Sequence, residues 1–429
     1  MASTSNGKNL IQNTKPFAIS KRQVWEAYKR VKANRGAAGV DGQSIAEFEE
    51  NLHANLYKLW NRMASGSYFP PPVRRVEIPK GDGRTRPLGI PTVADRIAQM
   101  VVTHFLQPTL EALFHADSYG YRPGKSAKDA LNVAKQRCWR HDWVLDLDIK
   151  AFFDTIDHGL LMRAVRRHTT SPWALLYIER WLKAPAQLAD GTLLERNEGT
   201  PQGGVISPLL ANLYLHYAFD EWMKREFPDI PFERYADDVI CHCRSEQQAT
   251  RLKDAITKRF AACFLTLHPD KTKVVYCKDN RRKGVYPAIQ FDFLGYTFRP
   301  RWVKAATGTF VGFNPAISAK SAVAIRQAMR SWKLQLRSDL TLEQIADEVN
   351  PALRGWINYY GAHFRSALIP VIDHLDQILS RWAIRKYKHF KHRRWNALRW
   401  VRGISWRQPK LFAHWLAFRG TTRRMIGAV

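Results

Sequence analysis

The spacing of apolar residues changes its period several times along the chain, and these changes outline its organisation. Residues 20–65 and 92–114 show helical spacing, interrupted by the proline-rich segment FPPPVRRVEIPKGDGRTRPLGIP. That segment is typical of two short strands joined by a hairpin turn at KGDGRTR. Further strands are predicted where short apolar runs recur, in WVLDLDIKAFF, ERYADDVICHCR, KVVYCK and FDFLGYTFRP.

After about residue 315 the strand pattern stops and three segments with helical spacing follow, beginning at residues 318, 341 and 370. From residue 381 onward the chain contains many lysines and arginines but no aspartate or glutamate. We therefore predict an α+β body followed by a helical region and a very basic helical end. The expected boundaries are 1–19 for a flexible tail, 20–315 for the body, 316–380 for the helical region and 381–429 for the basic end.

Charge and cysteine content narrow the classes of function. The 429 residues carry a formal net charge of +29, which indicates a polyanionic partner such as nucleic acid. A basic membrane-binding protein is the alternative, but there is no apolar run of about 18 residues and no signal-peptide pattern. The five cysteines include no C-x-x-C pair, which favours a reducing compartment and argues against a zinc module.

The tripeptide Cys241-His242-Cys243 resembles a metal site at first sight. Side chains alternate between the two faces of a strand, so the cysteines share one face and the histidine occupies the other. We therefore expect buried strand thiols at this position.

Four aspartates in two predicted strands are the main candidates for chemistry. Asp146 and Asp148 lie on one face of the strand in VLDLDIK, and Asp237 and Asp238 lie at the turn in RYADDVI. Acids inside a sheet are costly unless they are paired or bound to metal. If the two strands adjoin, the carboxylates would converge and suit a pair of Mg²⁺ ions. The alternative is an exposed acidic hairpin turn.

The order of motifs along the chain resembles that of reverse transcriptases, most closely those encoded by bacterial group II introns. The resemblance runs from about residue 20 to 400 and includes LRGWINYYGAHF (353–364), which is similar to the maturase thumb known as domain X. It implies a right-hand polymerase with fingers and palm built on an antiparallel sheet, then a helical thumb and a basic DNA- and RNA-binding tail. The polymerase motifs are IPKGDGRTRPLGIPTVADRIAQ (78–99), SYGYRPGKSAKDAL (118–131), DIKAFFDTIDH (148–158), GTPQGGVISPLLANLYL (199–215), YADD (235–238), LTLHPDKTKVV (265–275) and FLGYTF (293–298).

The resemblance also selects among the carboxylates. The family motif places the metal ligand directly before I-K-x-x-F, which favours Asp148 over Asp146. It implies that Asp148, Asp237 and Asp238 are catalytic and hold two Mg²⁺ ions, for which Mn²⁺ can substitute.

Several residues become candidates for binding the incoming nucleotide. Lys80 and Arg86 flank the KGDGRTR turn and could both reach a triphosphate, unless this is an ordinary basic turn. Lys271 could donate a proton to pyrophosphate, with Lys273 an equal candidate.

The resemblance assigns further roles near the nucleotide. It implies that Phe153 excludes a ribose 2′-hydroxyl, whereas Phe152 is expected in the core. It also implies that Gln202 in PQGG lies by the nucleotide, and that Gly203 and Gly204 let the backbone approach the template–nucleotide pair.

Template, primer and RNA contacts are expected on later motifs. Arg122 could contact template or bind backbone carbonyls structurally, and FLGYTF resembles a primer grip containing Gly295 and Tyr296. In the thumb Arg354 is the candidate for a phosphate contact, whereas Trp356 and Tyr360 are expected to pack. Basic residues interleaved with aromatics suggest backbone neutralisation and stacking in the tail. The tail candidates are Arg385, Lys386, Lys388, Arg393 and Arg394.

The resemblance implies an RNA-directed DNA polymerase that copies group II intron RNA and assists its splicing. Expected partners are intron RNA, an RNA template with a DNA primer, dNTPs and target DNA, in a cytoplasmic bacterial nucleoprotein complex without a membrane. No cysteine follows Cys277, so we expect the H-N-H endonuclease domain to be absent. The alternatives are a splicing-only maturase and a reverse transcriptase with a host role such as DNA repair or phage defence. The sequence does not indicate an oligomeric state.

Overall fold

The structure is a computed structural model that describes residues 15–79, 85–306 and 308–418. Helices and strands are numbered here in chain order. The elements up to the first strand of the YADD hairpin are α1 (Lys21–Asn34), α2 (Ile45–Glu50), α3 (Leu52–Ala64), β1 (Val73–Pro79), β2 (Thr85–Ile90), α4 (Val93–Glu111), α5 (Ala127–Arg140), β3 (Trp143–Asp148), α6 (His158–His168), α7 (Pro172–Lys183), β4 (Ala186–Gln187), β5 (Leu193–Leu194), α8 (Ser207–Leu215), α9 (Glu221–Glu226) and β6 (Phe232–Tyr235).

A 3₁₀ turn at Phe152–Asp154 follows β3, and a π-helix at His216–Asp220 joins α8 to α9. The remaining elements are β7 (Asp238–Cys243), α10 (Glu246–Ala261), β8 (Lys273–Tyr276), β9 (Phe291–Phe293), β10 (Tyr296–Ala305), β11 (Gly308–Ile317), α11 (Ala319–Ser331), α12 (Leu342–Tyr360), α13 (Ile369–Lys386), α14 (Arg394–Arg407) and α15 (Ala413–Phe418).

These elements form two compact units. The first takes in the chain up to Ser126, together with Leu147–Val239 and Arg251–Thr272. The second takes in Ala127–Asp146, Ile240–Thr250 and the chain from Lys273 onward. The predicted α+β class is confirmed, because the helices are combined with chiefly antiparallel sheets.

In the first unit, α1 and α2 begin at serines whose side chains satisfy free backbone amides. Ser20 and Ser44 each form a capping box with the glutamine or glutamate three residues later. Strands β1 and β2 pair antiparallel, with Ile78 opposite Arg86, in a sheet of order β2-β1-β4-β5. The predicted pair of strands is thereby confirmed, whereas the turn with Lys80 lies outside the described residues.

Residues 15–19, which the sequence assigned to the tail, pack against other residues of the first unit. Ile19 is buried, and its carbonyl accepts a hydrogen bond of 2.7 Å from Trp60 Nε1. The Phe17 amide donates to the Ala64 carbonyl at 3.1 Å. Residues 1–14 lie outside the described part of the chain.

A second four-stranded sheet has the order β6-β7-β3-β8. Strands β3 and β8 pair antiparallel, which sets Asp146 opposite Lys273. Cys241 and Cys243 of β7 are fully buried, which confirms the prediction of buried strand thiols. His242 is buried as well, so both faces of this strand are shielded from water.

Strand β11 was not predicted from the sequence. It pairs along its whole length with β10, from Tyr296 opposite Ile317 to the turn, in a sheet of order β11-β10-β9. Its sequence GTFVGFNPAI contains two glycines and a proline, which are depleted in strands, and it lacks strict alternation.

The helices of the second unit confirm the three predicted thumb helices but not the boundary at residue 380. That boundary falls inside α13, and α11 to α15 share one hydrophobic core. Asn350 connects α12 to the start of α15. Its Nδ2 donates to the Leu411 carbonyl and its Oδ1 accepts from the Ala413 amide. The described part of the basic end, up to Phe418, is therefore packed into the thumb rather than forming a separate region. Among the described residues no helix is long and apolar enough to cross a membrane.

A pair of tryptophan substitutions tests this shared core. Trp415 is buried and its Nε1 donates to Asp376 at 2.8 Å, whereas the side chain of Trp395 is 79% exposed. Trp415→Ala should lower the free energy of unfolding by about 3–5 kcal/mol, because a packed ring is lost. Trp395→Ala should change it by less than about 0.5 kcal/mol. Urea unfolding followed by circular dichroism measures both, and equally small effects would contradict the shared core.

Candidate active site

The YADD segment forms a tight turn between β6 and β7. Ala236 adopts a left-handed backbone with φ of 57°, and Asp238 is the first residue of β7. Gly120 packs directly against this turn, because a Cβ atom there would lie 2.3 Å from the Ala236 amide nitrogen. Only glycine therefore lets the SYGYRPG segment support the acidic turn.

A buried polar network supports the turn. The Arg234 guanidinium donates to both carboxylate oxygens of Asp220 at 2.7 and 2.6 Å, and both side chains are fully buried. Its Nη1 donates to Asn212 Oδ1 at 2.9 Å and to the Ala236 carbonyl at 3.2 Å. Asn212 Nδ2 in turn donates to the Gly120 carbonyl at 2.7 Å. One side chain thus ties together the π-helix, α8 and the acidic turn.

Asp148 ends β3 and is fixed by the segment that leads to Lys271. The His268 amide donates to the Asp148 carbonyl at 2.7 Å, and the Lys150 amide donates to the Thr266 carbonyl at 2.8 Å. Lys271 Nζ lies 2.9 Å from Asp148 Oδ2, so the two side chains form an ion pair. The structure thereby brings Lys271, rather than Lys273, to this carboxylate.

The three predicted aspartates influence one another electrostatically. Burial raises the pKa of Asp237, and the charge of Asp148 adds to this. Water reaches the Asp238 side chain, yet desolvation by the surrounding protein, followed by the charges of Asp237 and Asp148, raises its pKa to about 6. The positive charges of Lys271 and Arg86 oppose both shifts. The structure therefore groups the three carboxylates with two cationic side chains.

The carboxylate oxygens are the donor type that Mg²⁺ prefers, so the chemistry of the site fits the expected ions. Within the described residues, however, no three Asp, Glu, His or Cys side chains are arranged as a ready metal cluster. The ion pair with Lys271 occupies one oxygen of Asp148. A cation bound through both oxygens of Asp148 would displace Lys271.

The PQGG segment is anchored to strand β2 by its backbone. The Gly89 amide donates to the Gln202 carbonyl at 2.7 Å. Gly203 has φ of 110°, and a Cβ there would lie 2.6 Å from the Gly89 carbonyl oxygen. A Cβ on Gly204 would lie 2.5 Å from Ser207 Oγ. Close packing within the protein therefore requires both glycines, and their predicted approach to a template–nucleotide pair stays a prediction.

A second buried network positions the same segment and was missed in the sequence. Gln99 Oε1 accepts from the Val205 amide at 2.7 Å, and Gln99 Nε2 donates to Asp95 Oδ2 at 2.9 Å. Asp95 also accepts from Trp181 Nε1 and the Tyr68 hydroxyl at 2.7 and 2.8 Å. Burial raises the pKa of Asp95 to about 6, although these donors oppose the shift. Polar residues at i and i+4 in the apolar stretch VADRIAQMVV were the available signal.

The two phenylalanines after Asp148 have different environments, as expected. Phe152 is buried, whereas Phe153 is half-buried and meets the Phe152 ring edge-on at 5.4 Å between centroids. The Thr200 amide donates to the Phe153 carbonyl at 2.7 Å, which connects this turn to PQGG. Gln202 Nε2 lies 3.4 Å from Asp154 Oδ2, so its amide reaches the same turn.

Arg122 is bound by the protein in the way expected for a structural arginine, which is one of the two roles that the sequence left open. Its Nε and Nη2 bind Glu111 Oε1 at 2.8 and 2.6 Å, and its Nη1 donates to the Ser118 carbonyl at 2.7 Å. Nη1 also donates to the carbonyl of His115. Only 6% of the side chain is exposed, so the guanidinium is occupied by the protein.

In the second unit, the predicted primer-grip residues are covered by protein. Tyr296 is fully buried, and its hydroxyl donates to the Tyr359 carbonyl. Gly295 has φ of 78°, and a Cβ there would lie 3.0 Å from Ser321 Oγ and 3.1 Å from the Tyr360 hydroxyl. The Tyr296 side chain therefore contacts protein, its predicted nucleic-acid contact stays a prediction, and Gly295 allows close packing of the thumb.

The basic thumb residues divide into exposed and occupied side chains. Lys386 is occupied, because its Nζ donates to the Ser338 and Leu340 carbonyls at 3.1 and 2.6 Å. Trp356 stacks on Trp332, as expected for a packed residue. The predicted contacts that remain exposed are Arg354, Arg385, Lys388, Arg393 and Arg394.

Comparison with known families identifies the class. Residues 78–298 match the family described as reverse transcriptase (RNA-dependent DNA polymerase). The chain belongs to this family. Residues 323–401 match the group II intron, maturase-specific domain, so the chain combines a reverse transcriptase domain with a maturase-specific domain.

The chain is also similar to individual proteins. Protein YkfC of Escherichia coli (strain K12) is 29% identical over 357 residues, which cover 74% of this chain and 90% of that protein. The group II intron-encoded protein LtrA of Lactococcus lactis subsp. cremoris is 36% identical over 193 residues, covering 44% of this chain but only 32% of LtrA. A solved telomerase from Candida albicans aligns with a TM-score of 0.45 and 13% identity, over 83% of this chain and 66% of that one.

The buried network below the acidic turn leads to a stability prediction. Asp220→Asn should lower the free energy of unfolding by about 3–5 kcal/mol, because Arg234 is left as a buried, uncompensated charge. Asp229→Asn removes the same charge from an exposed side chain nine residues later and should have little effect. Chemical denaturation measures both variants. A loss no larger for Asp220 than for Asp229 would show that the ion pair does not support the fold.

Proposed function

We propose that this protein is an RNA-directed DNA polymerase that copies group II intron RNA into DNA and binds that RNA to assist splicing. The observation that carries the proposal is the grouping of Asp148, Asp237 and Asp238 at the ends of two strands, within a chain of the reverse transcriptase family. A nucleotidyl-transfer site needs such a group of carboxylates to hold its metal ions. Few other functions would favour three carboxylates close together in so basic a protein.

In this proposal Asp148 and Asp237 hold the catalytic cations and Asp238 is the third carboxylate. The chemistry supplied by two bound Mg²⁺ ions, or Mn²⁺ in their place, is activation of a 3′-hydroxyl and neutralisation of a leaving pyrophosphate. Desolvation first, and then the charges of the neighbouring aspartates, raise the pKa values of Asp237 and Asp238, and bound cations would favour the charged form of both carboxylates. Lys271 exchanges its ion pair with Asp148 for contact with a substrate phosphate.

Residues around the carboxylates would bind the nucleotide. Arg86 is exposed and close enough for its charge to act on Asp237 and Asp238, so it can receive a triphosphate. The half-buried ring of Phe153 would face the sugar and exclude a ribose 2′-hydroxyl. Gln202, anchored through its backbone to β2, would lie beside the base pair.

The proposed partners are intron RNA, an RNA template with a DNA primer, dNTPs and target DNA. The match to the maturase-specific domain supports intron RNA as a partner. Similarity to LtrA, which is named a group II intron-encoded protein, supports it as well. The exposed basic residues of the thumb would contact the phosphate backbone, and the exposed ring of Trp395 beside Arg394 offers a stacking surface.

Primer extension on an RNA template tests the proposal. The purified protein with Mg²⁺ and dNTPs should extend an annealed DNA primer. Asp237→Asn should lower the rate by at least about 10²-fold, because a ligand acting on the transferred group is lost. RNA affinity, measured by filter binding, should stay within about twofold, since the carboxylate itself makes no favourable contact with phosphate.

The outcomes separate the alternatives. RNA binding without any extension by the wild-type protein would contradict the polymerase and favour a splicing-only maturase. Equal loss of extension and RNA affinity in Asp237→Asn would show that the aspartate is structural.

A further inference from the structure

A cavity of about 490 Å³ lies among the helices of the first unit, and none of its lining residues belongs to the carboxylate site. It is bounded by α6, α8, the π-helix, α9 and α10, and we call it the palm-helix cavity. Its volume falls in the range that suits a nucleotide-sized ligand. Its lining includes four arginines and a single acid, Glu221; the arginines are Arg163, Arg167, Arg225 and Arg259.

Arg259 is held in place by the π-helix. Its Nε donates to the Ala218 carbonyl at 3.1 Å, and its Nη2 donates to the Tyr217 carbonyl at 2.8 Å. Among the described residues its Nη1 has no hydrogen-bond partner, so a donor remains available at the cavity. A π-helix often marks a functional site, and here it supplies the carbonyls that orient this guanidinium.

Two arginines of α6 add charge that the protein does not neutralise. Arg163 and Arg167 are exposed, and neither forms an ion pair within the described part of the chain. They lie one helical turn apart, on the same face of α6. Together with Arg259 they can surround a single phosphate or two successive phosphates.

The cavity also offers flat rings. The Tyr217 hydroxyl is 2.5 Å from His168 Nε2, the two rings stack with centroids 5.8 Å apart, and Arg167 lies 5.8 Å from the Tyr217 ring centroid. Trp222 is partly buried against Phe227. Rings fixed in this way can stack on a base at little entropic cost.

This combination favours a nucleotide over other anions. An acidic peptide would use the guanidinium groups but not the rings. Glu221 could accept a hydrogen bond from an exocyclic amino group or a sugar hydroxyl, which a bare phosphate lacks. Arginines beside ordered aromatic rings are typical of single-strand binding.

We propose that the palm-helix cavity binds an unpaired nucleotide, with its phosphate on Arg163, Arg167 and Arg259 and its base against Tyr217 or Trp222. The site is additional to the polymerase site and does not depend on polymerisation. A nucleotide in single-stranded RNA, one in single-stranded DNA and a free nucleotide share this chemistry.

Photocrosslinking of the full chain identifies the site directly. The probes are a short 4-thiouridine RNA, the matching 4-thiothymidine DNA and free 4-thio-UTP, followed by mass spectrometry of the crosslinked peptides. A crosslink to the segment around Tyr217 and Trp222 is expected, and the probe that gives it identifies the source. Absence of this crosslink with all three probes would overturn the proposal.

A matched pair of charge variants tests the energetics. Arg163→Gln with Arg167→Gln removes two lining charges, whereas Arg166→Gln with Lys258→Gln removes two exposed charges from α6 and α10 outside the lining. The first pair should reduce the crosslink yield at subsaturating probe by at least about tenfold, and the second by less than about twofold.

Equal reductions by the two pairs would show general surface attraction instead of a site. Trp222→Phe should retain the crosslink to the segment better than Trp222→Ala if a ring stacks on the base. Primer extension on an annealed template should stay unchanged in both charge variants, so failure here is distinguishable from failure of the proposed polymerase.

Discussion

The fully buried ion pair between Arg234 and Asp220 is the interaction on which the candidate active site depends. Two charges removed from water are stabilising only when their remaining hydrogen bonds are satisfied, and here Asn212 and the Ala236 carbonyl complete the set. The planar guanidinium fixes several directions at once, which a lysine could not do. The left-handed residue Ala236 of the acidic turn is thereby held in place, and Gly120 packs directly against it.

A second constraint on the site is the repulsion among its carboxylates, which opposes their being held close together. Asp148, Asp237 and Asp238 repel one another, and their surroundings raise the pKa of the last two. Lys271 and Arg86 reduce this repulsion, and both are cations that a substrate phosphate could attract away. The aspartates and the two cationic side chains therefore partly neutralise one another, and binding of substrate and metal ions would change both sets of interactions together. The Gln99–Asp95 network fixes the neighbouring PQGG segment through the Val205 amide.

Most of the fold could be predicted because apolar periodicity and turn residues mark helices and strands locally. Strand β11 was not predicted because its glycines and proline interrupt the alternation of apolar and polar residues that is typical of a strand. The proximity of Asp148, Asp237 and Asp238 could be expected because acids in strands are conspicuous, and the family motif favoured Asp148 over Asp146. The protein contacts of Arg122 and Tyr296 could not be decided from the sequence, because residue type does not show which donors the protein itself binds. Arg234 was missed for the same reason, since its partner Asp220 becomes adjacent only through the fold.

The most direct test of the central claim is to locate bound cations in crystals soaked with Mn²⁺, using anomalous scattering. The account predicts Mn²⁺ coordinated by Asp148 and Asp237, with Lys271 Nζ displaced from Asp148. An unchanged Lys271–Asp148 ion pair at saturating Mn²⁺, with no anomalous peak near either carboxylate, would contradict it.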